Sequence, residues 1–307
     1  MKNITHLMFS GGGFCGLCLL GIIRYLYFYK YDKKIFNIAG TSMGSYMALF
    51  FALKVPYEEI ERILKAICFD DKALLISKNN ITDLFINNGL DDTKNYLRFL
   101  KEYIKKHYDL EDISFLELSK KFGVNFYVSS TNVNLSTNTI FSITSTPNVS
   151  IFDAVASSMS LPLISKPVYI DGYYYVDGGL TNNFPLYIFD NIPKEYILGV
   201  AINYTCCNNY TDDIPKDTKD ISFIDYMSRI FKILIYNSLK ETYYNYINDN
   251  NDILIIDNIN LDFFKIHCKD NNNLSKVMTP DEIDYLTILG YTKIYEFMKK
   301  NKDNKDI

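Results

Sequence analysis

What the chain does without narrows its chemistry first. It has no tryptophan and only three histidines, His6, His107 and His267. Any mechanism with an imidazole base is therefore confined to three positions. No basic stripe marks a nucleic-acid partner, and no acidic tail marks a solvating segment. The net charge is -4, with the two signs mixed along the sequence. Six cysteines form no framework: Cys15 and Cys18 stand as C-x-x-C, but no second pair follows at zinc spacing, so no metal is expected. The N-terminus has no signal-peptide pattern. The longest apolar stretch, 17–29, is short for a membrane span and carries Arg24. The expected compartment is the reducing cytosol, with free thiols. There are no repeats and no Gly/Ser linker. The 26 tyrosines and 21 phenylalanines, beside abundant Asn, Lys and Ile, read as codon drift and carry no functional signal.

What is present is an ordinary globular composition, 48% hydrophobic and 22% charged over 307 residues. The apolar runs at 4–9 and 35–39 read as strands, each followed by a small-residue break and an apolar helix. A strand–helix–strand–helix order with near-continuous apolar strands predicts an α/β fold: a mostly parallel central sheet flanked by helices. The expected organisation is one domain with a helical insertion at about 57–121. A mainly helical C-terminal extension over 201–299 packs on the same domain, and 300–307 form a disordered tail. Asp171-Gly172 between two apolar runs predicts a hairpin. Thr279-Pro280-Asp281-Glu282 predicts a capped helix start.

Two glycine motifs carry chemistry. Gly40-Thr41-Ser42-Met43-Gly44 reads G-x-S-x-G between a predicted strand and a predicted helix, the setting of a nucleophile elbow. Small residues at 40 and 44 let the strand and helix close on a tight turn, and Ser42 then sits at a helix N-terminus. Gly11-Gly12-Gly13-Phe14-Cys15-Gly16 fits the dinucleotide fingerprint, but no acidic residue ends the second strand to hold a ribose. Consecutive glycines can instead turn backbone N–H groups towards one point, as an oxyanion hole requires. In a parallel sheet the loops after adjacent strands open at one edge, so Gly11, Gly12 and Gly13 can face Ser42.

Ser42 also needs a base. His6 lies within the first strand and His107 ends a polar helix, which leaves His267 as the histidine for a triad of Ser42, Asp177 and His267. Asp177 is better placed than any histidine. It closes an apolar run, and Gly178-Gly179 let the chain turn sharply after it. A carboxylate can serve a serine directly if partial desolvation raises its basicity.

These three motifs, in this order, resemble the patatin-like phospholipase family. The similarity covers about 4–200 and includes Ala156-Ser157-Ser158 through Leu161-Pro162, leading to Asp177-Gly178-Gly179-Leu180-Thr181-Asn182-Asn183-Phe184-Pro185. Two positions depart from the family pattern: Ser10 stands where Asp is frequent, and Cys15 where a basic residue is usual. The resemblance implies a modified α/β-hydrolase-like three-layer sandwich that hydrolyses lipid acyl esters without a cofactor. By matching positions, Ser42 is the nucleophile, Asp177 the base and Gly11–Gly13 the oxyanion donors, with Gly16, Gly40, Gly44, Gly178 and Gly179 shaping the turns. The expected partner is a lipid ester, with no nucleic acid. Peripheral membrane contact enters through 223–246, whose apolar residues recur at helical spacing among Arg229, Lys232 and Lys240. That segment reads either as a core-packed helix or as an interfacial one. Acyl transfer on the same scaffold, and an inactive lipid-binding protein, are the alternatives to hydrolysis.

Overall fold

The computed structural model describes residues 3–68, 84, 86–203, 226, 230, 233–234, 237, 253–256 and 279–303. His267, residues 304–307 and most of 223–246 lie outside them.

The first two strands, β1 (His6–Phe9) and β2 (Asn37–Thr41), pair in parallel with His6 opposite Asn37 and Phe9 opposite Gly40. Between them, a 3-10 turn over Gly13–Cys18 leads into helix α1 (Leu19–Phe28). Helix α2 (Met43–Ala52) leaves β2, and α3 (Tyr57–Cys68) follows it. A short strand β3 (Gly89–Asp91) precedes α4 (Lys94–Tyr108) and α5 (Phe115–Phe122). The chain continues through β4 (Asn125–Asn132), β5 (Thr137–Ser142), helix α6 (Ile151–Met159) and β6 (Leu163–Ser165). Strands β7 (Val168–Ile170) and β8 (Tyr173–Asp177) form the hairpin at Asp171-Gly172, where both residues have positive φ. The described elements end with β9 (Ile197–Ile202), β10 (Ile253–Ile256) and helix α7 (Pro280–Asp303).

The central sheet runs β10-β9-β1-β2-β4-β8-β7, with β5 on the other edge of β4. From β10 to β4 every pairing is parallel, whereas β5, β8 and β7 join antiparallel. Side chains alternate between two cores, as the strand period requires. Leu7, Phe9 and Ile38 join the large core, to which each of α1 to α7 contributes. Met8 and Ala39 face a smaller core closed by Phe184, Leu186 and Phe189, in a stretch of 3-10 turns. The fold is a three-layer α/β arrangement; among the described residues one face of the sheet carries the helices and the other the 3-10 stretch around 184–189.

The helices of the expected insertion are part of the main core, through Ile60 and Ile63 of α3 and Leu97, Leu100 and Ile104 of α4. Helix α7 starts on the predicted capping box: the Thr279 N–H donates to Glu282 Oε2 at 2.7 Å, and the Glu282 N–H donates to Thr279 Oγ1 at 3.3 Å. It runs to Asp303, not to Lys299, so the expected disordered tail is helical over its first residues. Helix α7 lies across α1 at two glycines. A Cβ on Gly21 would strike the backbone of Thr287 and Tyr291, and one on Gly290 would strike the backbone of Cys18.

Candidate active site

The strand β2 ends at Thr41 and α2 begins at Met43, which leaves Ser42 alone in the turn. Its backbone sits at φ 52 and ψ -130, a positive-φ conformation that costs a non-glycine residue about 1–3 kcal/mol. The flanking glycines make the turn possible. A Cβ on Gly40 would lie 2.5 Å from the Ser45 Cα, and one on Gly44 would lie 2.7 Å from the Phe9 carbonyl oxygen. The first turn of α2 is thereby pressed onto the end of β1.

Asp177 reaches Ser42 because of how two strands share β4. Strand β5 occupies one edge of β4 from Tyr127 to Asn132. On the other edge β2 runs parallel as far as Thr41 opposite Ser129, and β8 runs antiparallel down to Asp177 opposite Ser130. The two strands are therefore nearly collinear, and their C-terminal ends meet head to head. The Ser42 hydroxyl donates to Asp177 Oδ2 at 2.7 Å across that meeting point. The Gly179 N–H donates to Asp177 Oδ1 at 2.8 Å. Asp177 is only 4% exposed. Burial outweighs both hydrogen bonds and pushes its carboxyl up from 3.8 to about 6.

The glycine loop closes the other side. A Cβ on Gly11 would lie 3.1 Å from the Ser42 Cβ and would collide with the Asn183 amide. Gly11 and Asn183 clamp each other: the Gly11 N–H donates to the Asn183 carbonyl at 3.3 Å, and Asn183 Nδ2 donates to the Gly11 carbonyl at 3.2 Å. The Gly11 amide is thus engaged, while among the described residues the Gly12 and Gly13 amides have no protein acceptor. Gly13 has φ +48, a left-handed conformation that suits glycine. Gly16 packs against the Met43 side chain, where a Cβ would lie 2.5 Å from Met43 Cγ. Ser10 ties the loop to the sheet: its hydroxyl accepts from the Ile202 N–H at 2.9 Å and donates to the Gly11 carbonyl at 3.1 Å. Cys15 and Cys18 are buried on the same 3-10 turn.

Asn183 is the residue that sequence reasoning passed over. Its signal was its place six residues after Asp177, in the Asn182-Asn183-Phe184-Pro185 run, but its contact with Gly11 spans the whole catalytic region.

Neither described histidine bonds to Ser42 or Asp177. His6 pairs with Asn37, five residues before Ser42 along β2, so about 16 Å separates the two. Its ring is held by Thr5 and Asn37 at 2.9 Å each and lies edge-on to Phe189, and burial lowers its pKa. His107 stacks on Tyr103 near the end of α4.

The site so built has a strained serine, a buried carboxylate and a glycine loop at one sheet edge. A sequence model of the family described as Patatin-like phospholipase matches residues 7–190. The chain belongs to the patatin-like phospholipase family. That membership makes it one of a family of lipid hydrolases. Among viral proteins, this patatin-like chain is 29% identical over 230 residues to protein R571 of Acanthamoeba polyphaga mimivirus, covering 74% of each chain. It is 28% identical over 186 residues to the probable lipid hydrolase 463L of Invertebrate iridescent virus 6, covering 60% of this chain and 63% of the relative. Its fold is similar to that of VipD from Legionella pneumophila, with a TM-score of 0.53 at 17% identity, over 97% of this chain and 67% of that one. Among the described residues no helix is long and apolar enough to cross a membrane.

Proposed function

We propose that the protein is a phospholipase A-type acyl hydrolase working through a Ser42–Asp177 dyad. The observation that carries this reading is the direct 2.7 Å hydrogen bond from the Ser42 hydroxyl to a buried carboxylate. No imidazole stands between the two groups. In the reaction, Asp177 Oδ2 takes the hydroxyl proton as Ser42 Oγ attacks the ester carbonyl carbon. The carbonyl oxygen becomes an oxyanion, for which the proposed donors are the Gly12 and Gly13 amides of the loop that Gly11 brings against Ser42. Collapse of that adduct breaks the ester bond. The departing alcohol leaves with the proton from Asp177, and the acyl group stays on Ser42. Asp177 then takes a proton from water as the water oxygen attacks the acyl-enzyme. Release of the fatty acid returns the proton to Ser42. A carboxyl group at about 6 is charged at neutral pH and is a stronger base than an unperturbed aspartate.

The experiment is phospholipid and soluble-ester hydrolysis by wild type, Ser42→Ala and Asp177→Asn, with fluorophosphonate labelling of the serine. Loss of both activities in both variants, and of labelling in Ser42→Ala, is expected. Full activity in either variant would refute the dyad.

A further inference from the structure

The backbone N–H of Ser42 belongs to neither the β2 ladder nor the α2 helix. It donates to Ser158 Oγ at 2.8 Å, and the Ser158 hydroxyl donates in turn to the Ser129 carbonyl at 2.5 Å. A hydroxyl has one proton. Because that proton goes to Ser129, the Ser158 oxygen is left to accept from Ser42, and the direction of the relay is fixed.

The position of Ser129 gives the relay its meaning. Ser129 lies opposite Thr41, the last residue of β2, and Ser130 lies opposite Asp177, the last residue of β8. The Ser129 carbonyl stands at the break between the two strands, where a Cβ on Gly178 would strike it. Ser158, fully buried on α6, bridges that break with a side chain where the main-chain ladder is interrupted. The same helical turn also reaches the carboxylate strand. Beyond Met159, the Ser160 carbonyl accepts from the Asp177 N–H at 2.8 Å. One turn of α6 therefore holds the strand bearing Ser42 and the strand bearing Asp177.

We infer that Ser158 is a positioning residue for the reaction, holding the strained Ser42 backbone so that Ser42 Oγ meets Asp177 Oδ2. This rests on the reading of Ser42 as nucleophile and Asp177 as base. Ser158 touches no reacting atom. Without it the half-buried Ser42 N–H loses its acceptor, and the positive-φ turn loses the bond that pins it. The hydroxyl then drifts from Asp177, which loses a hydrogen bond that lowers its pKa.

The test uses the full-length chain as wild type, Ser158→Ala, Ser158→Thr and Ser158→Cys, with Ser157→Ala as a control. Ser157 is equally buried on the same helix but bonds to the Ser130 hydroxyl at 2.8 Å. Soluble-ester kinetics against pH, fluorophosphonate labelling rates and melting temperatures are measured together. Ser158→Ala is expected to lower kcat by about tenfold to a hundredfold at near-normal KM, to slow labelling in parallel, and to move the acid limb of the rate profile to higher pH. Ser158→Thr, which keeps the hydroxyl, is expected to restore most of the rate. Ser157→Ala is expected to change the melting temperature and leave the acid limb in place. A Ser158→Ala enzyme with wild-type kcat and acid limb would overturn the inference. So would losses that match Ser157→Ala and merely follow stability. If Ser158→Ala does not fold, Ser158→Cys decides: its weaker acceptor should give an intermediate rate and limb, and a wild-type profile would be fatal. Activity surviving in Ser42→Ala would instead sink the dyad itself, so the two failures are distinguishable.

Discussion

Ser42 Oγ and Asp177 Oδ2 lie 2.7 Å apart although 135 positions separate the residues in sequence. The proximity follows from opposed strand polarity, because a parallel and an antiparallel neighbour of β4 end at consecutive residues, Ser129 and Ser130. The contact between Ser42 and Asp177 therefore depends on sheet register as well as on loop conformation.

The first prediction concerns the rate profile. In the proposed mechanism Asp177 must be ionised to accept the serine proton, and burial pushes its carboxyl up to about 6. For soluble esters, kcat/KM should rise with pH through that value and level off above it. Asp177→Asn should lose about a hundredfold to ten-thousandfold and show no such limb. Measurement from pH 4.5 to 8 checks both.

Stability should move the opposite way. The folded carboxyl is raised from 3.8 to about 6, so its neutral form favours folding at low pH and that contribution disappears as pH rises through 6. Above that, a buried charge destabilises the fold. Asp177→Asn can still accept from Gly179 and donate to Ser42. It should be more stable than wild type by about 3 kcal/mol at pH 8 and about equal to it below pH 4. Denaturant melts at the two pH values would show the difference.

The α1–α7 crossing supplies a third prediction. Alanine outranks glycine in a helix by about 1 kcal/mol, so Gly290→Ala should help if packing were neutral. Its Cβ would instead strike the Cys18 backbone. A net loss of about 2–3 kcal/mol is expected. Gly123→Ala, at the end of α5 with φ +66 and open space around it, should cost only about 1 kcal/mol. Equal costs would contradict the packing account.

A fourth separates dyad from triad. His267→Ala should keep wild-type kcat and kcat/KM, because Ser42 already donates to Asp177. Loss of activity in a variant with an unchanged melting curve would restore the histidine.

Local signals in the sequence were read well. The elements Ile151–Met159, Val168–Ile170 and Ile253–Ile256 each coincide with a compact apolar pattern in the sequence. Gly40 misled the placement of β2, expected over 35–39 and found over Asn37–Thr41. That glycine allows Ser45 to approach; it does not break the strand. The helix expected over 17–29 begins instead with a 3-10 turn at Gly13, since the glycine loop winds tightly before α1. The short pairing of Gly89–Asp91 with Leu163–Ser165 had no local signature. Ser42 and Asp177 were both legible as chemical groups. The end-to-end meeting of β2 and β8 was not, because it rests on long-range register that no local pattern encodes.

The neighbour of β1 on its far side lies beyond the family match. Strand β9 pairs with β1 from His6 opposite Ile197 to Phe9 opposite Val200, whereas the match ends at residue 190. A protein trimmed to that boundary would turn β1 into a raw sheet edge, inviting self-association through its exposed backbone. It would also lose the Ile202 N–H that steadies Ser10 and the helix that covers Cys18. For recombinant work the smallest practical enzyme therefore extends through α7, and a failed shorter fragment would say nothing about its catalytic competence.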